Sequence, residues 1–137
     1  MTAIPFVNCN WRMLFAAVMA GALQSPVTTA ADARQGGGIK HVVLCWLHEP
    51  GNAAQVRTVI ETSLELAALP ELDAIVGGTA LSSDRPIVDD SFDVGLVMDF
   101  RDATALEAYL RHPEHVRRVE TVLRPLCGRV QVFDITH

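Results

Sequence analysis

Few of the signatures that announce a reaction are present in this sequence. Three cysteines in 137 residues are too few for a disulfide-stapled scaffold. No glycine-rich phosphate loop, no nucleophile with its base and no cysteine–histidine pattern of zinc spacing occurs, so no cofactor and no metal is expected. A Lys/Arg cluster is also missing: 11 basic against 16 acidic residues give a net charge of −5. A chain of that balance is poorly suited to nucleic acid or to an anionic membrane surface. Arg117-Arg118, with Arg111 and Arg124, fall among apolar residues at helical spacing and read as a solvated helix face.

The longest apolar stretch, Met13 to Leu23, is shorter than the roughly 20 residues a bilayer span requires. Arg12 precedes it, and small residues ending at Ala30 or Ala33 follow, the three parts of a secretory signal. Residues 1–33 are therefore expected to be a signal peptide, 34–38 a flexible glycine-rich lead, and 39–137 one domain. The expected location is secreted or periplasmic, with no membrane association once the signal is removed. An uncleaved membrane anchor is the alternative, whereas a lipid-modified cysteine is not expected because no Cys follows the apolar run. Loss of 1–33 removes one base, Arg12, and one acid, Asp32, and leaves the net charge unchanged. Cys9 departs with the signal. Cys45 and Cys127 can pair in an oxidising compartment, but two buried free thiols are the preferred reading.

Ile39 to Leu47 reads as a strand, apolar on both sides, with Ile39, His41, Val43, Cys45 and Leu47 on one and Val42, Leu44 and Trp46 on the other. Asn52 caps a helix with Gln55 in capping-box position. Val56, Val59, Ile60, Leu64 and Ala67 form its apolar stripe, and Pro70 stops it. Ile75 to Ser82 is a weaker strand containing Gly77-Gly78. Phe92 to Phe100 alternates cleanly as a third. Asp102 caps a second helix, which His112-Pro113 interrupts before a new start. Arg129 to Thr136 closes the chain as a fourth strand.

The order β-α-β-β-α-β predicts an α+β, ferredoxin-like fold: an antiparallel sheet with helices on one face. The opposite face, carrying Val42, Leu44 and Trp46, then needs cover. A homodimer that joins two such sheets into an α/β-barrel supplies it.

With these elements placed, four segments resemble the stress-responsive dimeric α/β-barrel (Dabb) family. They are Ile39-Lys40-His41-Val42-Val43-Leu44, Asp93 to Phe100, Leu106 to Val116 with its His112-Pro113-Glu114-His115 core, and Val132-Phe133-Asp134-Ile135. The resemblance spans roughly residues 38–136 and implies a sheet-to-sheet homodimer. One branch of the family comprises polyketide cyclases, in which the positions matching His115 and Tyr109 act as base and partner and His41 matches a pocket residue. Val59, Ile60 and Ser63 stand where those cyclases carry bulky aromatics, so a pocket of different shape is implied.

The candidate catalytic residues are thus His115 and Tyr109, and the candidate ligand pocket is His41, Val43, Val59, Ile60 and Ser63. Imidazole exchanges protons near neutral pH, and a phenol can hydrogen-bond a developing enolate. Against this stands packing alone: His112 as a cap, His115 on a backbone carbonyl, Tyr109 in the core. The leading expectation is an exported Dabb-type homodimer that binds a small apolar ligand, its reaction unassigned. The alternative is a cofactor-independent cyclase, lyase or isomerase acting on a carbonyl compound. A cofactor-free monooxygenase is a more distant option, and a third reading is a non-catalytic stress-associated protein. His112 and His115 with Glu114 offer two imidazoles at i, i+3 but no third metal ligand.

Overall fold

Burial alternates residue by residue along β1 (Ile39–Leu47), with Ile39, His41, Val43, Cys45 and Leu47 buried and Lys40, Val42, Leu44 and Trp46 only half covered. The computed structural model describes residues 37–137, so the signal peptide expected at 1–33 and residues 34–36 of the lead lie outside the described residues. After β1 come α1 (Ala53–Leu64), a 3₁₀ turn (Glu65–Ala68), β2 (Ala74–Gly78), β3 (Val94–Phe100), α2 (Ala103–Arg111), α3 (Pro113–Arg118), a π-helical segment (Val119–Leu123), α4 (Arg124–Leu126) and β4 (Cys127–Thr136). The four strands form one antiparallel sheet in the order β2-β3-β1-β4, the ferredoxin-like topology.

Register gives each face of the sheet its rows. On the helix side one row runs Ile75, Met98, His41, Asp134 and the next Gly77, Leu96, Val43, Val132. The core lies between this side and the helices, with Phe100, Tyr109, Val59 and Val94 as its fully buried large side chains. On the opposite face, Val76, Val97, Val42 and Phe133 make an apolar stripe from one sheet edge to the other. Val76 is 63% and Phe133 44% exposed. A Lys40–Asp99 ion pair borders the stripe in the adjoining row.

Capping explains where the helices begin. Asn52 Oδ1 accepts from the backbone N–H of Ala54 and Gln55 (both 3.1 Å). The reciprocal half of the expected capping box is absent, because the Asn52 N–H donates to the Glu49 carbonyl instead. Asp102 Oδ1 accepts from Ala105 N–H at 2.8 Å and starts α2. His112 is extended (ψ 130°), ends α2, and through Nδ1 accepts from Glu114 N–H to begin α3 at Pro113. The extended residue before proline is the cause of the break.

Several expectations need correction. The inward line of α1 and its 3₁₀ extension runs through Val59, Ser63 and Leu66, while Leu64 and Ala67 face outward. Ser63 is polar, so apolar periodicity passed over it. β2 ends at Gly78 rather than Ser82, because its partner strand begins at Val94 and the pairing stops at Gly78 opposite Gly95. Phe92 and Asp93 precede β3; the Asp93 carboxylate accepts from Leu47 N–H (2.8 Å) and Gly51 N–H (2.7 Å) and ties the turn after β1 to the sheet. Cys45 and Cys127 are not free thiols: they form a disulfide, with Cα atoms 5.7 Å apart. β4 starts two residues earlier than the apolar pattern suggests, and a register shift at Trp46/Leu47 sets Cys127 opposite Leu47. That irregularity brings the two sulfurs within reach. Trp46 is also partly covered by its own chain, through a hydrogen bond to Ser91 Oγ (2.9 Å), an edge contact with Phe92 and the Arg129 guanidinium 3.9 Å above its ring.

Candidate functional site

Between the helix side of the sheet and the α3–α4 layer lies a cavity of about 330 Å³, lined by His41, Val43, Leu110, His115, Val119, Leu123 and neighbours including Val130 and Val132. A much smaller chamber of about 30 Å³ continues inward, sharing the walls His41, Val43, His115, Val119 and Leu123 and adding Ser63, Met98, Tyr109 and Arg118. The π-helical segment carries two of the shared walls, Val119 and Leu123. Such a turn is wider than an α-helical one and recurs at functional sites.

Of the seven residues singled out from sequence, five meet here: His41, Val43, Ser63, Tyr109 and His115. Val59 is fully buried in the core. Ile60 lines a separate groove of about 590 Å³ between α1 and the β2–β3 connection. That groove is larger but contains none of the histidines.

His115 Nδ1 donates to the Leu110 carbonyl at 3.2 Å, which fixes the neutral tautomer with a lone pair on Nε2. Burial pushes the imidazole below its usual range, outweighing the raising effect of that carbonyl, and His41 and His112 lower it further. At neutral pH the ring is therefore a neutral base. The same contact satisfies a helix-end carbonyl, so structural and chemical roles occupy different ring nitrogens.

Tyr109 does not hydrogen-bond His115. Its hydroxyl donates to Met98 Sδ at 3.3 Å, and its ring packs on the imidazole with centroids 4.5 Å apart at 45°. Burial raises the phenol to about 12, so it remains protonated and keeps its O–H as a donor. Thioether sulfur is a weak acceptor, which leaves the hydroxyl free to exchange it for a better one.

Two members of the constellation escaped the sequence reading. Asp134 Oδ1 accepts from His41 Nδ1 at 2.6 Å and holds that ring beneath the helices. The clue was positional: β4 antiparallel to β1 puts Asp134 directly opposite His41. Arg118, expected on a solvated face, turns inward and is 14% exposed at its side chain. It donates to the Thr62 carbonyl (3.0 Å) and to Glu65 (2.5 Å). Its place three residues after His115 puts both on one helix side. Arg111 and Arg117 do lie outward, paired with Glu107 and Glu114. Among the described residues, no three His, Cys, Asp or Glu side chains gather as metal donors.

Comparison with known proteins agrees with this fold. The family model of the Stress Responsive A/B Barrel Domain (Dabb) matches residues 39–137. A solved Dabb-family protein of ferredoxin-like fold from Mesorhizobium loti is 23% identical, with 72% of this chain and 95% of that one aligned at a TM-score of 0.60. A dimeric ferredoxin-like protein of unknown function from Thermobifida fusca is 26% identical over 75% of this chain and 93% of its own, TM-score 0.61. A hydroxynitrile lyase from Passiflora edulis shares the fold at 17% identity, 74% and 94% coverage and a TM-score of 0.64. No curated protein sequence matches the chain.

Proposed function

Since the chain belongs to the Dabb family of stress responsive A/B barrel domains, we propose that it is an exported homodimer that binds a small, mainly apolar compound in the cavity beside His41 and His115. The observation that carries this reading is the 330 Å³ cavity, whose wall is largely aliphatic with two imidazoles and Arg124 set in it. That volume is within the range of small-molecule sites, which pair an apolar lining with a few polar groups. Thermal-shift and calorimetric titration with small aromatic ketones and alcohols test it. Stabilisation that disappears in Val43→Trp, which fills the cavity, is the expected result. No response to any such compound would remove the reading.

Export is supported by the pattern in residues 1–33 and by the Cys45–Cys127 disulfide, a bond that persists in oxidising compartments. Secretion of a full-length fusion, with the mature N-terminus mapped by mass spectrometry, tests it. The homodimer is supported by the uncovered stripe Val76–Val97–Val42–Phe133 and by relatives described as dimeric.

A second reading, a cofactor-independent proton transfer on a carbonyl compound, is favoured by one specific feature: His115 keeps Nε2 unprotonated while Nδ1 is anchored. In that role His115 removes a proton from a carbon next to the carbonyl. Tyr109 stacks against the base, and His41, oriented by Asp134, stands across the cavity from it. Exchange of such protons in deuterated buffer, lost in His115→Gln, is the expected signature; exchange at the wild-type rate in that variant would dismiss the role.

A further inference from the structure

Side-chain hydroxyls inside helices usually bond back to the carbonyl four residues earlier. Thr58 does so to Ala54 (3.0 Å) and Thr121 to Arg117 (2.7 Å). Ser63 does not. It is 2% exposed, its Oγ has no hydrogen-bond partner, and it lines the inner chamber. Arg118 lines the same chamber. One terminal nitrogen donates to the Thr62 carbonyl and Glu65, and the other pairs with Glu114 at 3.7 Å, yet its buried Nε–H lacks a partner. Burying a polar group without a partner is costly, and two such groups on residues that wall one small void call for a common acceptor.

We propose that the inner chamber is an oxygen subsite, in which Ser63 Oγ–H and Arg118 Nε–H receive the carbonyl oxygen of a ligand whose apolar body fills the outer cavity. This rests on the ligand-binding reading above and sharpens it to a ligand class: small ketones or aldehydes with an aryl or alkyl body. The size of the chamber agrees. Its roughly 30 Å³ is enough for an oxygen atom or a water and is far smaller than the outer cavity. The chemistry agrees as well. Arg118 is a donor only and cannot satisfy a donor, so the occupant must present a lone pair. His115 is a wall of both spaces, so the subsite and the outer cavity meet at its ring.

The test compares acetophenone with ethylbenzene, which match in shape and differ in the oxygen, by isothermal titration calorimetry on the disulfide-bonded protein. Wild type is expected to bind the ketone about tenfold more tightly, a difference of about 1.4 kcal/mol. Ser63→Ala is expected to erase most of that preference through the ketone alone, leaving ethylbenzene unchanged. Arg118→Lys keeps the cation beside Glu65, removes the N–H at that position, and is expected to do the same. If Arg118→Lys fails to fold, Ser63→Ala decides. Equal wild-type affinity for both probes, or a preference intact in Ser63→Ala, would overturn the subsite while leaving the cavity a binding site. A change of melting temperature with the preference intact would mark a buried structural water and also overturn it. Binding of neither probe would overturn the subsite together with the reading it rests on.

Discussion

The rings of Tyr109 and His115 lie against each other with centroids 4.5 Å apart, so that burial of one shields the other. Both consequences are measurable. Tyr109 is the chain's single tyrosine, and its phenol is raised by burial from 10 to about 12. Tyrosinate absorbance should therefore rise with a midpoint near 12 in the folded protein and near 10 after denaturation. The raised phenol contributes stability that is fully present below pH 10 and lost as pH climbs through 12. Tyr109→Phe should flatten that alkaline loss. A folded-state midpoint at 10 would contradict the packing.

His115 shifts the other way. Its imidazole is depressed by burial, so the unfolded chain takes up the proton first. Stability from this group is complete above its ordinary value of 6.5 and is lost as pH falls below it towards the folded value. His115→Gln should show a shallower loss of melting temperature between neutral and acid pH than wild type. Equal slopes would show the ring to be solvated.

The Cys45–Cys127 bond closes a separation of 82 residues, and loss of such a bond typically costs about 2–5 kcal/mol. Cys45→Ala/Cys127→Ala should unfold in urea at a clearly lower midpoint, as should wild type pre-treated with a thiol reductant. Coincident curves for oxidised and reduced protein would show that the bond adds nothing.

Val42 lies at the middle of the apolar stripe, between Val97 and Phe133. Val42→Asp should convert the proposed homodimer to monomer in light scattering without altering the far-ultraviolet circular dichroism. A variant that stays dimeric would move the subunit contact to another surface. Trp46 lies on the same face and is partly covered by Ser91, Phe92 and Arg129.

How much of this was legible beforehand depended on the reach of each interaction. Strand β1 was readable to the residue because nine positions alternate between two differently buried faces. The break at His112-Pro113 followed from local backbone sterics. The disulfide did not, since it depends on a register shift between strands 82 residues apart in sequence. The site divided in the same way. His41, Tyr109 and His115 were visible as chemistry-bearing side chains in characteristic segments. Arg118 was hidden by its resemblance to surface arginines until Glu65 and the Thr62 carbonyl were seen to hold it inward. Asp134 emerged only when β4 was laid against β1.

β4 is an edge strand, joined along its length to β1 alone, and the cystine fastens one end of it covalently. At the other end, only hydrogen bonds hold it, Thr136 paired with Ile39 and the His137 N–H donating to the Gly38 carbonyl. Asp134 lies near the loose end and Val130 near the fastened one. The carboxylate that orients His41 therefore sits on the part of β4 that the cystine leaves unfastened, whereas the aliphatic wall at Val130 is tied down beside it.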